Sequence, residues 1–339
     1  MKARRSTIRD VAKLANVAPI TVSRVINNSG YISADTRERV EIAIAELNYI
    51  PNTLSQSLRF QRTDMIALMV SDITNPFWTT VTRGVEDTCS EYGLNVILCN
   101  TDEDAQKFEQ YVRLLMQRQM DGFLLIPTSQ DSTAIKGMIQ NHVPLVMIDR
   151  SLPDLQVPIV RSDSVHGGYL LTQHLIELGH RRIAVISGLD SISTSWQRVE
   201  GYKKALQEYR IPLDPKLICY ASYTQISGYT ATNDLLAKLD EIPTAFFAAN
   251  NFIAMGIMRA LMERNLQVPK DVSIVSFDEL PYDMISDRFF TVVVQDPYLL
   301  GKRAAEVLIK QIMGEPVQET EIVLPVELII RSSTAPPAR

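Results

Sequence analysis

Short, uninterrupted apolar runs alternate with longer helix-like stretches from about residue 65 to residue 294, and this alternation strongly constrains the fold. Apolar runs without polar alternation are typical of strands buried on both faces, and strands separated by helices form parallel sheets. The region therefore predicts an α/β fold. The runs are Ile66–Val70, Val96–Leu98, Phe123–Ile126, Val143–Ile148, Ile183–Ile186, Ala245–Ala248, Ser273–Phe277 and Val292–Val294.

The pattern occurs twice, through about 65–160 and again through about 164–290, so we expect two similar lobes. The chain then continues through Thr291–Pro297 and Leu324–Glu327, which are the expected crossovers if the last helix, Tyr298–Met313, rejoins the first lobe. The other helix-like stretches are Phe77–Tyr92, Asp104–Gln119, Val165–Leu178, Gln197–Tyr209 and Phe252–Arg264.

The first sixty residues follow a different, all-helical pattern. Thr7 and Asp10 are spaced as a capping box, and Pro19 suits the first turn of a second short helix after a tight turn at Asn16-Val17. Ser33 is placed to cap a third helix. Two short helices across a tight turn are the layout of a helix-turn-helix, whose second helix enters the major groove of DNA.

Charge separates this N-terminal head from the rest of the chain. Residues 1–60 contain 9 Lys+Arg against 5 Asp+Glu, whereas the whole chain contains 34 against 39, a net charge of −5. A basic head on an acidic body concentrates the attraction for DNA phosphates in one place. Charge alone does not exclude a solvated helical bundle, but charge together with the helix-turn-helix pattern favours DNA binding.

The chain carries no sign of export or membrane insertion. Met-Lys-Ala-Arg-Arg leads directly into the first helix without an apolar signal core, and no apolar stretch is long enough to span a bilayer. Three scattered cysteines, Cys89, Cys99 and Cys219, do not make a disulfide framework. We therefore expect a cytoplasmic protein without a membrane partner.

Four motifs in the head resemble the DNA-binding headpiece of the lactose-repressor (LacI) family, and the later chain follows the plan of that family across essentially all 339 residues. The motifs are Asp10-Val-Ala, Thr21-Val-Ser-Arg-Val-Ile-Asn, Ser33-Ala-Asp-Thr-Arg-Glu-Arg-Val and Glu46-Leu-Asn-Tyr-Ile-Pro-Asn. The resemblance implies a helix-turn-helix head at 1–51 and a hinge helix with linker at 52–62. It also implies a type I periplasmic-binding-protein-like body, with an N-terminal lobe of 63–162 plus 292–324 and a C-terminal lobe of 163–291 plus 325–339.

The same resemblance implies roles for residues in the head and the hinge. Base reading falls to Pro19, Ile20 and Arg24, of which Arg24 suits a bidentate contact to guanine. Leu58 matches a leucine that wedges into the minor groove. Phosphate contacts are implied for Thr7, Thr21, Ser23, Asn27, Tyr49 and Asn52. The family often has Ser where this chain has Ala18, so one phosphate contact is expected to be missing.

Polar and aromatic residues follow the ends of the predicted strands, which is where ligands bind in parallel α/β sheets. Flat apolar faces beside fixed donors and acceptors suit a small polyhydroxylated ring. Two carboxylates balance two arginines, which favours a neutral sugar over a sugar acid. The candidate effector-binding residues are Asn75, Phe77, Trp78, Asp149, Arg150, Trp196, Arg198, Tyr223, Asn250, Phe277, Asp278 and Gln295.

Most of this set also resembles the ligand shell of bacterial ribose-binding proteins, with Trp78 and Tyr223 standing at phenylalanine positions. The resemblance implies ribose or another pyranose monosaccharide as the effector. It implies a homodimeric regulator, presumed to be a repressor, that acts on a pseudo-palindromic operator and controls carbohydrate-utilisation genes. A phosphorylated carrier-protein co-repressor or a non-sugar metabolite remains open as the main signal, and so does the sign of the response.

Enzyme signatures are absent from the sequence. There is no Gly-x-Ser-x-Gly elbow, P-loop, Gly-x-Gly-x-x-Gly after a strand, or Cys-x-x-Cys. The histidines lack metal-ligand spacing and are interpreted as surface or structural residues. Asp149 and Asp278 can be imagined as a glycosidase pair, but their arginine and amide neighbours suit sugar binding better. We expect no catalytic residues, no cofactor and no metal.

Overall fold

A computed structural model describes residues 6–50, 62–128, 133–152, 154–280 and 289–338. The chain divides into two compact units, Met1–Thr63 and Asp64–Arg339, which are called the head and the body.

Among its described residues the head contains three helices, α1 (Ile8–Leu14), α2 (Pro19–Ile26) and α3 (Ala34–Glu46). At the start of α1, the Thr7 backbone N–H and hydroxyl both donate to the Asp10 carboxylate, at 2.9 and 2.7 Å. The Ser33 hydroxyl accepts from the backbone N–H of Thr36 at 3.4 Å and caps α3. The capping residues predicted from the sequence are therefore confirmed, and the helices begin where local hydrogen bonds satisfy their free N–H groups.

A small apolar core holds the three helices together. Val11, Val22 and Val40, one from each helix, are fully buried. The turn between α1 and α2 passes through Asn16 in the left-handed region (φ 52°), a conformation that asparagine adopts more readily than most residues. The tight turn and the inward valines of α2 leave the opposite side of that helix free, as a helix-turn-helix requires.

The body contains two sheets of six strands each among its described residues. The first has the order β11-β5-β4-β3-β1-β2, and all of its neighbouring strands are parallel. Its strands are β1 (Met65–Val70), β2 (Asn95–Asn100), β3 (Gly122–Leu125), β4 (Leu145–Ile148), β5 (Ile159–Ser162) and β11 (Glu321–Leu324).

The second sheet repeats this arrangement in the order β12-β10-β9-β8-β6-β7. Only its edge pair, β10 with β12, is antiparallel. Position by position, β9 corresponds to β4 and β10 corresponds to β5. The strands are β6 (Ile183–Ser187), β7 (Ile218–Tyr220), β8 (Ala245–Ala248), β9 (Ser273–Phe277), β10 (Thr291–Val294) and β12 (Glu327–Ile329).

Helices cover both faces of each sheet, which explains the continuous apolar runs of the inner strands. The run Val96–Leu98 lies in the edge strand β2, where Ile97 and Leu98 are exposed, so the predicted burial of that run on both faces is wrong. In β1, Ile66 and Leu68 pack on one face while Ala67 and Met69 pack in a separate cluster on the other. The two-lobed α/β architecture predicted from the sequence is confirmed. The helices are α4 (Pro76–Glu91), α5 (Ala105–Gln117), α6 (Thr133–Gln140), α7 (Ser164–Glu177), α8 (Ser193–Glu208), α9 (Gln225–Lys238), α10 (Asn251–Glu263) and α11 (Pro297–Ile312).

The chain crosses between the lobes three times. It leaves the first lobe after β5, returns after β10 to form α11 and β11, and crosses again in the two residues between Leu324 and Glu327. The sequence analysis placed residues 292–294 in the N-terminal lobe, but β10 pairs with β9 and β12 in the second sheet. The boundary therefore lies after Val294, because the ladder continues to the end of that strand.

Glycines allow close helix crossings in both lobes. A Cβ on Gly301 of α11 would lie 2.1 Å from the Val81 carbonyl oxygen in α4. In the second lobe, a Cβ on Gly168 of α7 would lie 2.3 Å from the carbonyl oxygen of Arg198 in α8. The backbones approach too closely for a side chain at these positions.

Among the described residues, no helix is both long enough and apolar enough to cross a membrane. Cys89, Cys99 and Cys219 are free thiols. His174 and His180 are buried, and their ring nitrogens contact hydroxyl groups, including Thr334 at 3.0 Å and Thr244 at 2.9 Å. Both histidines are structural, as the sequence analysis expected.

Candidate functional site

A cavity of about 410 Å³ lies between the two lobes of the body, and both lobes supply its walls. This volume is in the ordinary range of small-molecule sites. The carboxyl ends of the parallel strands open onto it, as expected for the fold. The lining residues are Ser71, Asp72, Asn75, Phe77, Trp78, Asp102, Glu103, Asp149, Arg150, Thr194, Arg198, Ser222, Tyr223, Thr224, Asn250, Asp278 and Gln295.

Two aspartates occupy corresponding places in the two lobes. Asp149 follows β4 and Asp278 follows β9, and both have a left-handed backbone, with φ of 66° and 69°. Each side chain is nearly inaccessible to solvent. This backbone conformation turns the chain away from the sheet at the strand end and leaves the carboxylate facing the cavity.

Arg198, in α8, is the positive charge that faces both aspartates. Its guanidinium lies 3.8 Å from the centroid of the Phe277 ring and donates from Nη1 to the Ala249 carbonyl oxygen. Burial raises the pKa of Asp278 to about 6, while the charge of Arg198 and a hydrogen bond from Gln295 act in the opposite direction. Burial also raises the pKa of Asp149, again opposed chiefly by Arg198.

Arg150, from the first lobe, is held by a second acid. Its two terminal nitrogens, Nη1 and Nη2, donate to the two carboxylate oxygens of Glu103, each at 2.6 Å. Nη1 also donates to the Pro127 carbonyl oxygen at 3.2 Å. Burial would raise the pKa of Glu103, but the charge and hydrogen bonds of Arg150 outweigh it, so the pKa is lowered. Glu103 and Arg150 therefore form an ionised pair.

Aromatic side chains form the apolar part of the cavity. Phe77 and Trp78 meet edge to face, with ring centroids 4.8 Å apart. Across the cavity, the Tyr223 hydroxyl accepts from the Ser195 hydroxyl at 2.9 Å. A Cβ on Gly188 would lie 2.4 Å from the Tyr223 ring, so this glycine makes room for the ring. The rings are fixed by packing and present flat faces to a ligand.

Amide groups and unpaired polar atoms supply the remaining hydrogen-bonding capacity. The Asn250 side-chain oxygen caps α10 by accepting from Ile253 N at 2.8 Å, which leaves its NH₂ group for other partners. Gln295 donates to Asp278 at 2.5 Å, and its side-chain oxygen has no partner within the described protein. The Nε atoms of Arg150 and Arg198 are also buried without a hydrogen-bond partner there. Buried polar groups of this kind favour a polar ligand.

Two hydrogen-bonded contacts join the lobes across the cavity. The side-chain amides of Asn75, at the start of α4, and Asn251, at the start of α10, donate to each other, both at 3.1 Å. The Ser151 N–H donates to the Ser193 hydroxyl at 2.9 Å. These contacts hold residues of the first lobe against residues of the second.

Ten of the twelve predicted effector residues line the cavity, and Trp196 and Phe277 do not. Trp196 is 39% exposed, because it lies on a side of α8 that points away from the cavity. Phe277 is fully buried beneath Arg198 and acts as a support. Sequence reasoning missed Glu103 and Thr194 among others. Glu103 was overlooked because Asp-Glu-Asp at 102–104 also resembles a helix cap, the role that Asp104 has.

In the head, the predicted base-reading residues are exposed. Pro19, Ile20 and Arg24 lie on the open side of α2, and Ile20 is 61% exposed. Of the predicted phosphate-contacting residues, Asn27 is exposed and donates to the Ser23 hydroxyl at 3.2 Å. Thr7, Thr21, Ser23 and Tyr49 are half-buried. Asn52 and Leu58 lie outside the described residues.

Two family models match the chain. Residues 7–52 match the model described as bacterial regulatory proteins, lacI family. Residues 63–332 match the model described as periplasmic binding proteins and sugar binding domain of LacI family. Together these two matches cover the head and nearly all of the body.

Curated relatives are similar over almost their whole length. The HTH-type transcriptional repressor PurR of Haemophilus influenzae (strain PittEE) is 35% identical over 337 residues, covering 97% of this chain and 98% of the relative. The HTH-type transcriptional regulator DegA of Bacillus subtilis is 35% identical and covers 98% and 99%. The ribose operon repressor of Halalkalibacterium halodurans is 36% identical and covers 97% of each chain.

Solved structures agree with this similarity. A lac repressor dimer bound to operator and the anti-inducer ONPF has a TM-score of 0.84 at 29% identity, covering 98% of this chain and all of the other. A complex of the transcriptional regulator CelR with cellobiose has a TM-score of 0.74 at 34% identity, covering 97% and 100%. A regulator from Enterococcus faecium with bound ribose has a TM-score of 0.71 at 33% identity, covering 81% and 100%.

Proposed function

This chain belongs to the LacI family of bacterial regulatory proteins, and from that premise we propose that a neutral monosaccharide in the cleft controls its binding to an operator. Family membership makes it a DNA-binding transcriptional regulator with a ligand-binding domain. Its relatives are regulators, which confirms the expectation that it is not an enzyme. The proposal adds the effector, with ribose or another pyranose as the leading choice, and carbohydrate-utilisation genes as the target.

The observation that carries the proposal is the placement of Asp149 and Asp278 around Arg198. Ionised carboxylates accept hydrogen bonds from neighbouring hydroxyls, and an arginine donates to hydroxyl oxygens, so a polyhydroxylated ring satisfies both kinds of group. The rings of Trp78 and Tyr223 lie in the same cavity and suit the C–H faces of a sugar. Relatives whose names or titles include ribose and cellobiose support a sugar over other metabolites.

Charge favours a neutral sugar. In the part of the chain that the structure describes, the cavity is lined by two arginines and by five carboxylates, those of Asp72, Asp102, Glu103, Asp149 and Asp278. One of these arginines, Arg150, is already paired with Glu103. An added anionic group would therefore face uncompensated negative charge in a partly buried site.

Tryptophan fluorescence tests the effector. We would titrate the full chain with ribose, other neutral pentoses and hexoses, ribose 5-phosphate and purine bases. Trp196→Phe leaves Trp78 as the only reporter, and Trp78→Phe is the matched variant expected to lose the signal. Saturable binding of one neutral sugar supports the proposal. Binding of only a non-sugar metabolite, or of no small molecule, would contradict it and redirect the search, in the second case to a phosphorylated carrier protein.

For DNA recognition, we propose that Pro19, Ile20 and Arg24 read bases and that two heads of a homodimer contact a pseudo-palindromic site. The exposed side of α2 supports this role, since a helix that reads the major groove needs exposed side chains. The phosphate contacts, and the hinge and wedge roles of 52–62 and Leu58, stay predictions from the sequence.

Arg24→Ala tests base reading on an operator selected from a random DNA library. A lost guanine contact weakens binding to the preferred site by about tenfold to a hundredfold while binding to non-specific DNA falls less. Lys13→Ala, an exposed cation in α1, is the matched control for charge alone. Equal losses for the two variants on specific and non-specific DNA would remove Arg24 from base reading.

A further inference from the structure

Glu103 occupies the part of Arg150 that an anionic ligand would use. The two oxygens of Glu103 meet Nη1 and Nη2 of Arg150 at 2.6 Å each, in the parallel two-bond geometry of a guanidinium with a carboxylate. A ligand carboxylate or phosphate would bind the same two nitrogens in the same geometry. The protein therefore supplies its own anion at that position of the cavity wall.

The pair is held in place from several directions. Arg150 is almost fully buried, with 5% of its side chain exposed, and Nη1 also donates to the Pro127 carbonyl oxygen. The backbone N–H of Glu103 donates to the Ser71 carbonyl oxygen at 3.2 Å, which anchors the residue beside β1. Glu103 keeps 25% of its side chain exposed and lines the cavity, so the pair forms part of the surface that a ligand meets.

Arg198, the second arginine in the cavity lining, does not provide an open anion site either. Arg198 donates from Nη1 to the Ala249 carbonyl oxygen, and its charge is opposed by Asp149 and Asp278. The Nε atom of Arg150 lies 3.9 Å from a carboxylate oxygen of Asp149. Both guanidinium groups that line the cavity among the described residues thus already face protein carboxylates, and neither is left as an uncommitted anion site.

We infer that Glu103 sets the charge selectivity of the cleft by occupying Arg150, so that neutral sugars are accepted and sugars carrying a phosphate or carboxylate are rejected. This inference rests on the proposed function, since it assumes that the cleft holds the effector. Glu103 affects which ligands bind through its pairing with Arg150, and it is therefore a positioning residue. Removing its charge should convert Arg150 into a bidentate anion site.

The test measures a ratio of affinities in the full-length protein. Ribose and ribose 5-phosphate are titrated into the unmodified protein and into Glu103→Gln by calorimetry, with inorganic phosphate as a third ligand. In Glu103→Gln, the affinity for ribose 5-phosphate relative to ribose should rise about tenfold or more, because a charge-assisted bidentate contact becomes available. Inorganic phosphate should also raise the melting temperature of this variant more than that of the unmodified protein.

Two further variants distinguish a direct contact between the anion and Arg150 from the general effect of removing one negative charge from the cavity. Asp102→Asn removes the same charge from the same cavity but leaves the Glu103–Arg150 pair intact, and it should shift the ratio by no more than about threefold. Glu103→Gln combined with Arg150→Gln should cancel the gain. If Glu103→Gln does not fold, Glu103→Asp replaces it, since the shorter side chain releases one terminal nitrogen and should give a smaller gain.

The outcomes are distinct from those that test the sugar itself. If the Glu103 variants shift the ratio no more than Asp102→Asn, the inference is wrong even when ribose binds tightly. If no neutral sugar binds the unmodified protein, the proposed function fails, and the gain of phosphate binding in Glu103→Gln is still measured independently. An unmodified protein that binds ribose 5-phosphate better than ribose would overturn both.

Discussion

The two lobes each place an aspartate with a left-handed backbone at the edge of the cavity, but the two aspartates have different neighbours. Asp149 ends β4 and Asp278 ends the corresponding strand β9, both in the left-handed conformation. In the first lobe the nearest arginine, Arg150, is committed to Glu103. In the second lobe, the Arg198 guanidinium lies 3.8 Å from the centroid of the Phe277 ring and faces both aspartates. The repeated fold provides the positions, and the neighbouring side chains decide which arginine is available.

The lobes also differ at their edges. The edge strand β11 is parallel to β5, whereas β12 is antiparallel to β10. The reason is that the chain passes from β11 into β12 across only two residues, so β12 enters the second sheet from the side of the cleft. A short connection of this kind joins the edges of the two lobes directly.

The largest effect on stability is expected from Gly168→Ala, which disturbs helix packing in the second lobe only. The new Cβ would meet the Arg198 carbonyl oxygen at 2.3 Å and push α7 away from α8, costing about 3 kcal/mol of unfolding free energy. Gly137→Ala in α6 of the first lobe is the control, because nothing lies within 4 Å of that position and alanine favours a helix. Urea unfolding measures both variants, and equal stabilities would contradict the close crossing.

Arg198→Ala should weaken binding of the effector sugar by about thirtyfold or more. The variant removes a charged donor from a buried site, which costs roughly 2–3 kcal/mol. Lys204→Ala, an exposed residue of the same helix, should leave the affinity unchanged. Calorimetric titration gives both dissociation constants. An unchanged dissociation constant in Arg198→Ala would show that Arg198 does not bind the sugar.

The two aspartates should differ in their effect on pH dependence. The pKa of Asp278 is raised to about 6, so lowering the pH from 7.5 to 5 protonates it and removes an acceptor for sugar hydroxyls. Sugar affinity should therefore fall by up to about tenfold across this window. Asp278→Asn should bind more weakly at pH 7.5 and flatten the curve near pH 6. Asp149→Asn should instead keep a pH-dependent step but move it to lower pH, because the charge of Asp149 helps to raise the pKa of Asp278. If the sugar affinity of the unmodified protein does not change between pH 7.5 and pH 5, Asp278 is not an acceptor for the sugar.

The smallest effect concerns the contact between the lobes. Asn75→Ala and Asn251→Ala each break the reciprocal amide pair, and we expect each to weaken sugar binding about fivefold by making closure less favourable. A double-mutant cycle isolates the pair, with a coupling energy of about 1 kcal/mol. Strictly additive losses would show that the two amides act separately and that the pair does not hold the lobes together.

Much of the architecture was predictable because it depends on local patterns. Runs such as Ile66–Val70 and Ala245–Ala248 became central strands, since only burial on both faces tolerates such sequences. The edge strands β11 and β12, and β5 next to β11, were not predicted as strands. They contain half-exposed charged residues, among them Arg161 and Glu321, which pair with each other across β5 and β11 at 2.6 Å.

The location of the candidate site was predictable, but the contacts between its side chains were not. Polar residues at strand ends pointed to Asp149, Arg150 and Asp278, because the carboxyl ends of parallel strands meet at one edge. Trp196 was predicted in the cavity because it follows the strand Ile183–Ile186 in what the sequence indicates as a loop. The structure instead places it inside α8 (Ser193–Glu208), where the two positions between Trp196 and Arg198 correspond to a rotation of about 200°.

The sequence by itself determined most of the inner strands and most of the helices, which residue types stand at the strand ends, and which family the chain resembles. These properties follow from hydrophobic periodicity, capping residues and contiguous motifs, all of which act over a few residues. Only the tertiary structure decided that Glu103 pairs with Arg150, that Arg198 faces two aspartates, and that Asn75 meets Asn251. Such pairs join residues 47 to 176 positions apart, and their partners are chosen by the packing of whole helices and sheets rather than by any local signal.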